Sequence, residues 1–174
     1  HAATSADDRI IRLWALPPSA SAQPVLEVRG PETRVLAMAF NAGGNLLASV
    51  SENDHSVWLW DTADFRQPPA GQLIAGGLGT GPTSVAFDSA GHSLLAAWST
   101  ELAMLQHVSD KWSVLSRGPL RGGATHWRSG EWSPSLAFSP LAGTPYFVLG
   151  EPDGTVTIRR GGNLQVIATA ETGR

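Results

Sequence analysis

Apolar residues along this chain gather in short runs separated by Gly, Asn, Asp, Ser and Pro, the pattern of strands joined by turns. Three stretches repeat one layout: VLAMAFNAGGNLLASVS (Val35 to Ser51), PTSVAFDSAGHSLLAAWS (Pro82 to Ser99) and SPSLAFSPLAGTPYFVLG (Ser133 to Gly150). In each, an apolar run ends on a Phe, a Gly-containing turn follows, and a second apolar run begins. The phenylalanines, Phe40, Phe87 and Phe138, lie 47 and 51 residues apart. Each layout predicts two strands joined by a short loop.

A third strand follows in each copy: SVWLWD (Ser56 to Asp61), LAMLQHV (Leu102 to Val108) and TVTIRR (Thr155 to Arg160). The opening DDRIIRLWAL, Asp7 to Leu16, reads as the same third strand with its first two strands missing. A weaker fourth strand comes next, at PVLEV from Pro24, GQLIAG from Gly71, WSVLS from Trp112 and LQVIATA from Leu164. Four strands recurring every 46 to 51 residues is a repeat period, and the period governs the fold. The third strand is apolar on both sides, as a strand covered on both faces must be. Trp14 and Trp60 are placed to hold neighbouring sheets a fixed distance apart.

Composition narrows the picture. The chain has 174 residues, 42% of them hydrophobic, which suits one domain or part of a larger one. With 19 Gly and 12 Pro it is rich in turn residues, which favours many short strands over helices. There are no cysteines, so disulfides and thiolate metal sites are excluded. A net charge of −3 without a basic cluster argues against nucleic acid as a partner. No apolar run approaches the roughly 20 residues of a membrane-spanning helix, so no membrane partner is expected. The amino end lacks the basic and apolar regions of a signal peptide, and a cytoplasmic location is expected.

The spacing Asp, five residues, Trp occurs twice, from Asp8 to Trp14 through DRIIRLW and from Asp54 to Trp60 through DHSVWLW, where Asp61 completes a Trp-Asp pair. Asp153 keeps the spacing in DGTVTIR, with Arg159 in the Trp position. In the remaining copy Thr100 and Gln106 stand at the two ends. These residues resemble the WD-repeat (WD40) β-propeller family, and the resemblance covers nearly the whole chain. It implies an all-β fold of four-stranded antiparallel blades, and a structural, hydrogen-bonding role for Asp8, Asp54 and Asp153 in the turn before the third strand. The family's Gly-His pair, which precedes the Phe, is replaced by Gly30-Pro31 and Gly77-Leu78, so its His-to-Asp relay is not expected.

The repeats divide the single propeller segment, 1–174, into a partial first repeat and outer strand (1–29), two repeats (30–76 and 77–116) and a last repeat with its outer strand (117–174). Closed propellers have four to eight blades. About three and a half repeats therefore make an incomplete ring or half-propeller. An open arc leaves two blade faces bare. Several hundred Å² on each corresponds to on the order of 10 kcal/mol of unrealised burial. Three completions are open: further blades of the same polypeptide, a second chain, or a second copy of this chain as a homodimer.

Chemistry is sparse. His1, His55, His92, His107 and His126 form no spaced ligand set, and neither a metal nor a cofactor is expected. There is no nucleophile elbow or phosphate-binding lysine loop, and no carboxylate pair can be placed in a cleft. GGLGTG (Gly76 to Gly81) lacks the lysine and the helix of a phosphate site and reads as a connection. TADFRQPPAG (Thr62 to Gly71) reads as a plain connector. No catalytic residue is assigned, so the chain is read as not an enzyme.

The informative irregularity is GPLRGGATHWRSGEWSPS, Gly118 to Ser135, a long connection carrying Trp127, Arg128, Glu131 and Trp132. Trp and Arg are enriched at binding hot spots. The resemblance implies that such connections open on the face most used for binding. Glu32, Arg34, Thr80 and Thr83 from the matching connections, with Asn53, His55 and Glu101 from turns, belong to the same face. The expected function is a protein-interaction scaffold. The Ala- and Gly-rich composition points to a bacterial source, where the resemblance suggests a regulatory sensor module of a larger signalling protein. The competing readings are a propeller enzyme or a small-ligand module with its site at the channel mouth.

Overall fold

The computed structural model describes residues 1–16, 23–29, 33–52, 55–64, 67–76, 84–122, 135–139 and 146–171. Fifteen strands and no helix occur among them. The first sheet holds β1 (Ala2–Ser5), β2 (Ile10–Trp14) and β3 (Leu26–Arg29). The second holds β4 (Val35–Phe40), β5 (Leu46–Ser51), β6 (Val57–Asp61) and β7 (Gly71–Ala75). The third holds β8 (Ser84–Phe87), β9 (Ser93–Ala97), β10 (Glu101–Val108) and β11 (Lys111–Pro119). The fourth holds β12 (Leu136–Phe138), β13 (Tyr146–Gly150), β14 (Thr155–Arg160) and β15 (Val166–Glu171). Each sheet is an antiparallel meander in sequence order, and the four stand side by side in an arc that does not close. Among the described residues no helix is long and apolar enough to cross a membrane.

One expectation is corrected. The first sheet was read as lacking two strands before β2, but β1 precedes it and pairs antiparallel with it, Ala3 opposite Leu13 and Ser5 opposite Ile11. Ala2 to Ser5 are small or polar residues with no apolar alternation to betray a strand. What holds them is the register with β2 and the bond from the Trp14 indole N–H to Thr4 Oγ1 at 2.9 Å. The 77–116 repeat boundary falls within β11, which continues to Pro119.

Sheet alternation explains how neighbours are held, because successive side chains point to opposite faces. On β5 and β6, Leu47 and Trp60 join Ile11, Leu13 and Val28 of the first sheet in one buried cluster. The residues between them, Ala48, Val50, Val57 and Leu59, join Val85, Phe87, Leu94, Ala96 and Leu105 of the third sheet in another. The third sheet repeats the device. Its opposite face offers Leu95, Ala97, Leu102 and Met104 to Phe147 and Leu149 of the fourth. Each inner sheet is thus buried on both faces, which is why its central strands read as continuous apolar runs.

Trp60 is the best-fixed tryptophan of the repeat motif. It is buried between the first two sheets, lies 6.0 Å from Trp58 in a stacked arrangement, and donates its indole N–H to Ser49 Oγ at 2.9 Å. Its ring covers Gly71, its partner across β6 and β7, and a Cβ at Gly71 would meet the ring at 2.5 Å. Trp14 holds the same place on β2, but it is half-buried and on the face turned away from the second sheet. The spacer role read for both tryptophans is therefore seen at Trp60.

Candidate functional site

The meander sends the β1–β2, β5–β6, β9–β10 and β13–β14 turns to one end of the arc. The starts of β4, β8 and β12 lie at the same end. Local bonds tie the start of β4 to two of these turns. Arg34, just before β4, accepts the backbone N–H of Glu52 on its carbonyl at 3.0 Å and pairs through Nε with Asp7 of the β1–β2 turn at 2.8 Å. His55 stands in the β5–β6 turn with a positive φ of 52°. The structure thus brings Arg34 and His55 to one end, with Asp7 and Glu52 beside them. Glu101 opens β10 at this end too. Trp127, Arg128, Glu131, Trp132, Glu32, Asn53, Asp54, Thr80 and Thr83 lie outside the described residues.

The turn aspartates have defined partners. Asp8 accepts the Ile10 backbone N–H at 3.2 Å and the Arg12 guanidinium at 2.6 Å, and Arg12 also pairs with Glu27 at 2.9 Å. Asp153 accepts both the backbone N–H and the hydroxyl of Thr155, at 2.9 and 2.6 Å. Asp61 accepts the Ala63 backbone N–H at 2.9 Å, turning the chain after β6.

These bonds favour the charged carboxylates. The Arg12 hydrogen bond holds Asp8 below the ordinary aspartate value of 3.8, with help from the Ile10 N–H. The Arg34 hydrogen bond lowers Asp7, and the Thr155 hydroxyl lowers Asp153. A carboxylate lowered on folding stabilises the native state above its unfolded pKa and loses that contribution as pH falls through the folded value. Thermal midpoints should therefore hold down to about pH 5 and fall at lower pH. Asp8→Asn should flatten part of that acid limb by lowering the pH 7 midpoint by the same small amount, small because these groups are solvent-exposed.

The fourth sheet contains a site that sequence reasoning did not find. Arg159 and Glu151 form an ion pair with side chains only 4% and 0% exposed. Thr157 donates its hydroxyl to Glu151 Oε1 at 2.6 Å, and the Arg121 backbone N–H donates to Oε2 at 2.9 Å. Arg159 also donates to the Pro119 carbonyl at 3.3 Å, joining the fourth sheet to the end of β11 in the third. Arg121 lies 3.8 Å from Asp153, and Gly122 packs on Asp153 so closely that a Cβ would sit 2.8 Å from its Cβ. The available signal was a charged residue in a buried repeat position, Arg159 where the second copy has Trp60. Glu151 takes the place of Ser51 at the end of the preceding strand.

The stretch from β3 to β6 carries a family likeness. Residues 22–61 match the family model WD domain, G-beta repeat. The match runs from the outer strand of one sheet through three strands of the next, so the WD40 unit is offset from the blade and links two blades covalently. The all-β arc of one three-stranded and three four-stranded sheets is consistent with a partial WD-repeat propeller. No curated protein matches the chain. WD40 repeat domains generally mediate protein–protein interaction and are generally non-catalytic.

Proposed function

We propose that this chain is a non-catalytic scaffold and sensor module of a larger bacterial signalling protein, with a cytoplasmic protein partner docking at the turn end of the arc. The observation that carries the reading is the match to the WD40 family model at residues 22–61, a stretch that holds both Arg34 and His55. Trp127, Arg128, Glu131 and Trp132 from the long connection before β12, with Glu32 and Asn53, are the further residues assigned to the proposed docking surface. Large aromatic and Arg side chains there suit a hot spot, because they bury much area at low entropic cost.

Ring completion belongs to the same reading. On the fourth sheet Ala137, Val148, Ile158 and Ala168 form a row across all four strands, on the face opposite Phe147 and Leu149. Val148 and Ile158 are exposed aliphatics there, the same class of side chain that the inner sheets bury against a neighbour. This row supports coverage by remaining blades of the same protein, with a second copy of the chain as the alternative cover.

Alanine at Trp127, Arg128 and Trp132 in the intact protein tests the docking surface by affinity capture with mass spectrometry. Loss of a reproducible partner with an unchanged melting midpoint is expected. Undiminished capture of that partner would remove the surface from the reading.

A further inference from the structure

The opposite end of the arc, where the β4–β5 and β8–β9 turns lie, carries two adjoining cavities. One, of about 320 Å³, is lined by the three repeat phenylalanines Phe40, Phe87 and Phe138, with Asp88, Ser89 and Ser139 at its rim. The second, of about 230 Å³, runs between the third and fourth sheets past Met104, Gln106 and Leu115. Asp88 and Phe138 line both, so the two form one groove. Among the described residues, Asp88 is the one ionisable side chain on its walls.

The charge of Asp88 exceeds what its turn requires. Asp88 Oδ1 accepts the backbone N–H groups of His92 at 2.9 Å and Ser93 at 3.2 Å. In the second sheet Asn41 does the same work, its Oδ1 accepting from Asn45 at 3.1 Å and Leu46 at 3.0 Å. A neutral amide oxygen is therefore sufficient for the turn. Both bonds of Asp88 use Oδ1, and among the described residues Oδ2 has no bonded partner. A carboxylate oxygen without a partner beside aromatic and aliphatic walls suits a cation with an apolar body: the charge meets the carboxylate, and the rings add cation–π attraction.

We propose that this groove binds a small aliphatic ammonium ligand, its charge at Asp88 and its hydrocarbon chain along the phenylalanines. An anion is disfavoured by the Asp88 carboxylate. A neutral alkyl ligand would leave that charge unused.

The test is calorimetric titration of the intact protein with n-pentylammonium, pentan-1-ol and pentanoate, which share a chain and differ in charge. The ammonium should bind about tenfold or more tighter than the alcohol, with pentanoate weakest. Asp88→Asn, the residue that serves the equivalent turn as Asn41, should keep the melting midpoint and bring ammonium and alcohol to similar affinity. Equal binding of ammonium and alcohol to the unmodified protein would overturn the proposal, as would absence of ammonium binding at millimolar concentration or undiminished binding to Asp88→Asn. If that variant does not fold, the three-ligand series on the unmodified protein decides alone. Nα-acetyl-lysine methylamide provides the final arm. Its binding without that of n-pentylammonium would overturn a free amine in favour of a partner's lysine side chain.

Discussion

Arg159→Leu should lower stability by about 3–5 kcal/mol, because removing one partner leaves a buried charge uncompensated. Glu151 would then keep only the Thr157 hydroxyl and the Arg121 N–H, in a position its side chain shares with almost no solvent. The loss should be local in origin: Arg159 also holds the Pro119 carbonyl, so the seam between the third and fourth sheets should loosen first. Glu151→Gln combined with Arg159→Leu should recover most of the loss. The amide oxygen of Gln can still accept from the Arg121 N–H while its NH2 donates to the Thr157 hydroxyl, and no charge remains buried. Denaturant unfolding of the three variants measures this, and amide exchange across β11 and β14 locates it. A cost below about 1 kcal/mol for Arg159→Leu would mean that the pair behaves as a solvated surface bridge.

Trp60→Ala should cost about 3–5 kcal/mol, the range for truncating a large buried aromatic. Three losses coincide there: the cluster with Ile11, Leu13 and Val28, the stacking on Trp58, and the hydrogen bond to Ser49. Gly71→Ala approaches the same contact from the other side. Its added methyl falls 2.5 Å from the Trp60 ring and must displace it, with a cost of about 1–3 kcal/mol as for other overpacked cores. Because the two substitutions share one contact, Gly71→Ala in a Trp60→Ala background should cost much less than alone. Full additivity in denaturant unfolding would contradict the packing described. Trp14→Ala supplies the comparison that bears on ring completion. In the intact protein it should cost as much as Trp60→Ala if a further sheet covers the first sheet, and distinctly less if that face meets water.

The strands were legible because their causes are local. Alternating and continuous apolar runs bounded by Gly, Asn and Asp define β4 to β6, β8 to β10 and β12 to β14 wherever they occur, and the period of the phenylalanines shows that the unit repeats. The weak outer strands were legible by position. β1 was not, since Ala, Ala, Thr and Ser become a strand only when β2 offers them a ladder. The motif drew attention to Trp14 and Trp60, yet Trp98, outside it, is fully buried against the second sheet, and no spacing rule distinguishes it.

For the candidate sites the division is sharper. Arg34 and His55 could be assigned to one end from the meander alone, because a strand's direction settles where its turn lies. The pairing of Arg159 with Glu151 could not, because it depends on a side chain crossing from β14 to the end of β13 and on a carbonyl from another sheet. The groove at Asp88 is likewise lined by residues of three sheets, invisible along one strand.

By itself the amino-acid sequence determined the order of the described strands after β1, the four-stranded unit, its repetition and the likeness to the WD-repeat family, since turn chemistry and side-chain alternation act between near neighbours. Only the tertiary structure decided which tryptophan is enclosed, which arginine is buried with its counter-charge, and where a cavity opens. Those outcomes depend on distances between sheets, and such distances are set by packing across the seam rather than by the order of residues within it.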